Sequence, residues 1–198
     1  MTLVKGAVER PPEFLRREAP REQGDAVLEQ GDAVLVELLL ETHRVTGVMD
    51  QTGAQRRLVD LLNIAGGPVL TVRDATVESL ADPNEQPRRC QVLRVRRQSV
   101  LLALPVTAAA PRGGGLETVE KRPAAATLLL PGIEVTGQIH LPPGADPGSV
   151  PLLGRRDFLP VTDAVVTHSA FTIVRWEQPL VVVNLDRVVL YVPGLAQS

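Results

Sequence analysis

The stretch HRVTGVMD at residues 43–50 recurs as IEVTGQIH at residues 133–140, with the tripeptide VTG identical in both. The residues before each stretch also agree, since VELLLE precedes the first VTG block and ATLLLPG precedes the second. The offset between the two copies is 90 residues, from 43 to 133. A repeat of this kind predicts one structural unit present twice.

Two more blocks follow each VTG segment in the same order. PVLTVRDATVE (68–78) matches DFLPVTDAVVT (157–167), and VLRVRRQSVLLALP (92–105) matches VVVNLDRVVLYVP (181–193). The match aligns the Asp-Ala pair that begins at Asp74 with the pair that begins at Asp163. We therefore expect Gly47 to be equivalent to Gly137, and Asp74 to Asp163.

The repeated blocks are rich in Val, Leu, Ile and Thr and are bounded by Gly, Pro, Asp and Asn, which predicts strands. One helix is predicted from Arg56 to Ala65, because Leu58, Leu61 and Leu62 fall with Ala65 on one apolar stripe. The Gly-Gly-Pro sequence that follows is a helix stop. Prolines at the equivalent place in the second copy exclude a helix and predict an irregular loop.

The repeat and the composition divide the chain into four segments. Charge and proline predict a disordered N-terminal arm, and Ala, Pro and Gly predict a linker between the copies. The heptapeptide EQGDAVL occurs twice in tandem at 22–35, either as a looped-out copy or as an extension of the first strand. The predicted segments are an arm at 1–21, a first β module at 22–105, a linker at 106–129 and a second β module at 130–194.

Composition narrows the class of protein. The net charge of −2 gives no global attraction to nucleic acid or to an anionic membrane, and aromatics at 3% give few stacking surfaces for bases. Cys90 is the single cysteine, which excludes an intramolecular disulfide and a Cys-based metal site. No apolar run approaches the roughly twenty residues of a membrane span. We expect a cytoplasmic protein without a cofactor.

The order of the blocks resembles the Sm-like fold, with VTG on an early strand, Asp-Ala ending a later one and two short strands pinched at a turn within 183–191. The resemblance implies a mainly β protein made of two tandem small Sm-like or SH3-like barrels, with one short helix. Sm-like proteins assemble into rings, and many bind RNA. The chain is also similar to uncharacterised bacterial proteins with VTG, LTDA and NLDRV patterns.

Two positions that bind RNA in Sm-like proteins differ here. The Asn that opens the strand before Asp-Ala is replaced by Val69 and Phe158. The Arg-Gly of the final pinch is replaced by Arg96-Arg97 in the first module and by Asn184-Leu185 in the second. The resemblance therefore implies a barrel that self-associates, and the departures argue against inherited RNA binding.

The sequence offers little for catalysis. His43, His140 and His168 show no metal-ligand spacing, and no serine lies in a nucleophile motif. Asp74 and Asp163 belong to different modules, so a shared structural role is favoured over a catalytic pair. Cys90 follows two arginines, which permits a reactive thiol or simply a strand residue beside a solvated turn. We predict no catalytic, cofactor or metal site and no enzyme activity.

Arginines occur in pairs, and these are either a basic patch for nucleic acid or charges solvated in loops. The candidate nucleic-acid contacts are Arg96, Arg97, Arg155 and Arg156.

The closing strands of both modules are apolar on both faces, whereas a strand with one wet face alternates. We predict that they mediate self-association, with Val100, Leu102, Val189 and Tyr191 at the interface. Alternatively, the two modules cover each other's strands within one chain. The leading hypothesis is a non-enzymatic, homo-oligomeric scaffold or adaptor, a role that also allows other protein partners. The alternative is an RNA- or nucleotide-binding protein that uses the arginines.

Overall fold

The computed structural model of the chain consists mainly of antiparallel β-strands. It describes residues 33–50, 57–64, 67–82, 84–106, 121–152, 157–168 and 174–194. The predicted arm at 1–21, the first copy of the heptapeptide and linker residues 107–120 lie outside this range. Residues 33–35, the end of the second copy of the heptapeptide, lie in the first described strand, and the rest of that copy lies outside this range.

The described strands form two sets of five. The first set is β1 (Ala33–Leu39), β2 (His43–Asp50), β3 (Val69–Ser79), β4 (Arg88–Arg96) and β5 (Leu102–Pro105). The second set is β6 (Arg122–Leu130), β7 (Ile133–Leu141), β8 (Phe158–His168), β9 (Val174–Asn184) and β10 (Leu190–Pro193). Short 3-10 turns at Arg97–Ser99 and Leu185–Arg187 precede the last strand of each set.

All ten strands join in a single sheet with the order β10-β6-β7-β8-β9-β5-β1-β2-β3-β4. Each set has the same internal order, namely fifth, first, second, third, fourth. The repeat predicts two separate barrels, whereas the structure has one continuous sheet, because β9 of the second module pairs with β5 of the first. The prediction of a mainly β fold is confirmed.

Both modules bend at the same place. The register between β2 and β3 shifts around Gly47, and the register between β7 and β8 shifts around Gly137. Across from these shifts, Asp74 and Asp163 both have φ of 48°, in the left-handed region that Asp tolerates better than most residues. An extra residue of this kind bends a strand and increases its twist.

The sheet encloses two cores, and its central strands contribute to both. Leu102 and Leu104 of β5 belong to the core of the second module, while Ala103 between them belongs to the core of the first. Val182 and Phe158 lie on second-module strands but pack in the first core. The unbroken apolar run of β5 follows from this arrangement, since both of its faces are buried within the chain.

The predicted helix is present as α1 (Leu58–Ile64), and Leu58 and Leu62 pack in the first core. At the equivalent place in the second module the proline-rich segment forms a 3-10 turn at Pro147–Leu152. Strand β6 begins at Arg122, inside the segment predicted to be linker. The first residues of β6 include proline and alanine, which are poor strand formers. The sequence pattern therefore does not indicate where this strand begins.

Candidate functional site

The junction between the two modules is a short antiparallel pairing in which Leu102 lies opposite Val183 and Ala103 opposite Val182. The Asn184 N–H extends this pairing by donating to the Leu101 carbonyl at 3.1 Å. All of these side chains are buried, which makes the junction part of the protein interior.

The Asn184 side chain secures the junction. It is 1% exposed, and its amide nitrogen donates to the carbonyls of Val100 at 2.8 Å and Arg97 at 3.3 Å. Its Oδ1 accepts from the Asp186 N–H at 3.1 Å. A buried amide with its donors and acceptor satisfied stabilises one specific geometry, because an unpaired one would cost the desolvation of its polar atoms.

Further polar contacts cross between the modules. Asn63 of α1 accepts from the Phe158 N–H at 3.0 Å and donates to the Phe158 carbonyl at 2.9 Å. Arg97 forms an ion pair with Asp157 at 2.9 Å, and its guanidinium lies 5.2 Å from the centroid of the Phe158 ring. Arg187 of the second module forms an ion pair with Glu41 of the first. The junction is therefore a specific interface.

The sheet has two terminal strands, β10 and β4. Within the described residues β10 pairs only with β6, and β4 pairs only with β3. Exposed apolar side chains concentrate at these two edges. Val189 beside β10 is 76% exposed and Leu190 on it is 50% exposed, while Val92 on β4 is 58% exposed and Val69 on the neighbouring β3 is 41% exposed.

The structure separates the four predicted interface residues into two pairs. Val100 and Leu102 are fully buried at or next to the internal junction. Val189 and Tyr191 lie at the free edge, where the Tyr191 hydroxyl donates to the Pro147 carbonyl at 2.7 Å. Burial, reinforced by the charge of nearby Asp146, raises the pKa of Tyr191. Of the four predicted interface residues, Val189 and Tyr191 are therefore the two that lie at an end of the described sheet.

The predicted nucleic-acid contacts are not gathered in one described patch. Arg96 is exposed on β4, whereas Arg97 is partly buried against Asp157. Arg155 and Arg156 lie outside the described residues. Of the other arginines in the first module, Arg73 pairs with Asp50 and Arg88 with Glu85.

In the described part of the chain, no group of three or more His, Cys, Asp or Glu side chains is placed to hold a metal ion. His140 hydrogen-bonds to the Thr162 hydroxyl at 2.8 Å. Burial lowers the pKa of His168. The Cys90 thiol is free and borders a shallow groove that Asp74 and Arg89 also line.

The sequence missed a charged cluster on the first module, formed by Glu37, Arg44 and Glu78. Arg44 is 7% exposed, and its Nε donates to the Glu78 carboxylate at 2.7 Å. Its Nη1 lies 3.9 Å from the Glu37 Oε2. Burial raises the pKa of Glu37, Arg44 opposes this shift, and Glu78 adds to it. The only signal in the sequence is Glu37 itself, the single charge within the apolar run of β1.

Comparison with protein-family models, with curated proteins and with solved structures finds no match. Among the described residues, no helix is long and apolar enough to cross a membrane.

Proposed function

We propose that this chain is a non-enzymatic scaffold or adaptor that forms homo-oligomers through the edges of its sheet. One observation carries the proposal. Four of the five exposed large hydrophobic side chains of the described residues lie at or beside the terminal strands, namely Val69, Val92, Val189 and Leu190.

An open edge favours association for two physical reasons. Its backbone N–H and C=O groups are available to a strand of another chain. Full burial of an exposed Val or Leu side chain adds about 1.5 to 3 kcal/mol. Val189 and Leu190 are adjacent, so one added strand would cover both of them.

The proposal also includes the architecture of each module. Each module is an open barrel of the Sm-like or SH3-like kind, and the two are joined edge to edge. The shared strand order, the duplicated bend and the two cores support this assignment. Modules that pair edge to edge within one chain make pairing between chains a natural extension.

Replacing Val189 by Lys tests the proposal, because it places a charge on the exposed face of the β10 edge. We expect the wild type to be an oligomer by light scattering at micromolar concentration, and the variant to be a smaller species with an unchanged circular dichroism spectrum. Val106→Lys is the matched control, since Val106 is also exposed but lies away from the terminal strands. A monomeric wild type contradicts the proposal.

Binding of RNA or a nucleotide is the second candidate, and the exposure of Arg88, Arg89, Arg94 and Arg96 along β4 favours it. It predicts sub-micromolar binding of U-rich or A-rich RNA that is lost in Arg96→Ala. The scaffold proposal predicts no such affinity at physiological salt. A salt series is essential to the measurement, because loose arginines bind RNA at low salt.

A further inference from the structure

The internal junction has a counterpart at the two ends of the sheet, where no strand among the described residues occupies the outer side. By the repeat, β10 is the counterpart of β5, and β4 is the counterpart of β9. The turns before these last strands are built alike. The Val100 N–H donates to the Arg97 carbonyl at 3.2 Å, and the Val188 N–H donates to the Leu185 carbonyl at 3.1 Å.

We propose that β4 of one copy pairs with β10 of a second copy in the register of the internal junction. This inference rests on the proposed self-association and specifies its partner and geometry. In this register Leu190 lies opposite Val95, just as Leu102 lies opposite Val183 at the internal junction. Tyr191 likewise lies opposite Arg94, as Ala103 lies opposite Val182.

Burial at equivalent positions supports this pairing. Leu101 is 1% exposed and its counterpart Val189 is 76% exposed, while Leu102 is 0% exposed and its counterpart Leu190 is 50% exposed. Leu101 and Val189 lie between the 3-10 turn and the last strand of their modules, and Leu102 and Leu190 begin those strands. The difference is that β5 has a described strand on both sides, β1 and β9, whereas β10 has one on a single side, β6.

The side chains at the two junctions differ in a complementary way. At the internal junction a small residue on the fifth strand, Ala103, shares the first core with the large Phe158. At the open ends the sizes are reversed, because the counterpart of Ala103 is Tyr191 and the counterpart of Phe158 is Val69. If the ends pair, this junction also combines one large side chain with one small one. The combined side-chain volume is then similar at both junctions, as close packing requires.

Polar groups also have counterparts. Arg96 of β4 occupies the position equivalent to Asn184 of β9. The Asn184 amide donates to the carbonyls of Arg97 and Val100. The equivalent carbonyls on a second copy belong to Leu185 and Val188, and a guanidinium carries several N–H donors for such acceptors. Arg94 would lie opposite Tyr191, in place of the internal contact between Arg97 and the Phe158 ring.

A contact between two different edges is heterologous, so copies add head to tail into a ring or a filament. Pairing of β10 with β10 of a second copy would instead produce a symmetric dimer. It would also place Tyr191 near another Tyr191, without the small partner that Val69 provides.

Engineered cysteines can test the register. The Asn184 N–H bonds to the Leu101 carbonyl, so this is a hydrogen-bonded pair, and the next pair, Leu102 with Val183, is a non-hydrogen-bonded pair with closely spaced side chains. In a Cys90→Ser background, Val95→Cys with Leu190→Cys should form disulfide-linked dimers and longer chains after mild oxidation.

Each single-cysteine variant is a control and should not cross-link efficiently. Cross-linking by Leu190→Cys alone would indicate β10–β10 pairing and overturn the inference. An oligomer in which the double variant does not cross-link would also overturn it while leaving the proposed self-association intact. A monomeric wild type would refute both.

Because Val95 is buried, a second test avoids it. Val69→Phe and Tyr191→Ala should each weaken association about tenfold or more, as expected at packed interface positions. Together the two substitutions recreate the Phe-Ala combination of the internal junction, so the double variant should recover most of the affinity. Additive losses in the double variant would contradict the proposed contact between these two positions.

Discussion

The two modules share their bend and differ in the surfaces built around it. A Cβ added to Gly47 would lie 2.7 Å from the Arg73 carbonyl oxygen, and one added to Gly137 would lie 2.7 Å from the Thr162 carbonyl oxygen. The same pair of positions on neighbouring strands is an ion pair in one module, Asp50 with Arg73, and a histidine–threonine hydrogen bond in the other, His140 with Thr162. The bend depends on the backbone, so side-chain chemistry on the surface can change without altering it.

The strongest test of this comparison replaces the bend glycines. Gly47→Ala and Gly137→Ala should each destabilise the protein by about 3 kcal/mol, because the added methyl meets a backbone oxygen that cannot move without breaking the register. Denaturant unfolding measures the loss. Gly67→Ala is the control, since nothing lies within 4 Å of a Cβ at Gly67.

Similar losses at the two glycines would confirm that the modules use one bending mechanism. A loss at one glycine only would show that the second bend is held by other contacts.

A smaller effect is expected from the charged cluster, which is found in the first module only. Its counterpart positions are Thr127, Glu134 and Thr167. Glu78→Gln should cost about 2 kcal/mol, because it leaves a nearly buried Arg44 guanidinium with a neutral partner. Thermal unfolding of Glu134→Gln, a change at an exposed position of the second module, should show almost no loss. Equal losses would mean that the cluster contributes nothing specific.

The smallest effect concerns Glu37 and pH. Burial raises the pKa of Glu37, so the folded state holds its proton more tightly than the unfolded state does. This contribution to stability is fully present below the unfolded pKa and is lost as the pH rises through the raised folded pKa. Glu37→Gln should therefore flatten the dependence of Tm on pH above the unfolded pKa. A steeper dependence in the variant would show that the attraction of Arg44 outweighs burial.

Much of the fold follows from local signals in the sequence. The VTG and Asp-Ala repeats mark equivalent residues in both modules, and these residues form the two bends, because few residue types tolerate the close approach at Gly47 or the left-handed backbone at Asp74. The sequence pattern nevertheless places Asp-Ala at a strand end, whereas Asp74 lies inside β3 and Asp163 inside β8. The apolar stripe of α1 identifies the helix. These features depend on near neighbours in the chain, which the sequence displays directly.

The candidate site was only partly predictable. The double apolar face of β5 correctly indicates a strand covered on both sides, but hydrophobicity does not reveal whether the covering strand belongs to the same chain. Here β9 of the same chain covers β5, and Val100 and Leu102 are buried, whereas Val189 beside β10 is exposed. The pairing of Arg44 with Glu78 is equally hidden, because these residues meet only when β2 and β3 align.

The covalent connection across the β9–β5 junction changes how the protein responds to dilution. A junction between separate molecules weakens as concentration falls, whereas one within a chain experiences a constant effective concentration set by the connecting segment. Modules therefore enter and leave any assembly in pairs, and every assembly contains an even number of them. Half of the junctions in a closed ring would persist at any protein concentration, and only the other half would respond to cellular abundance.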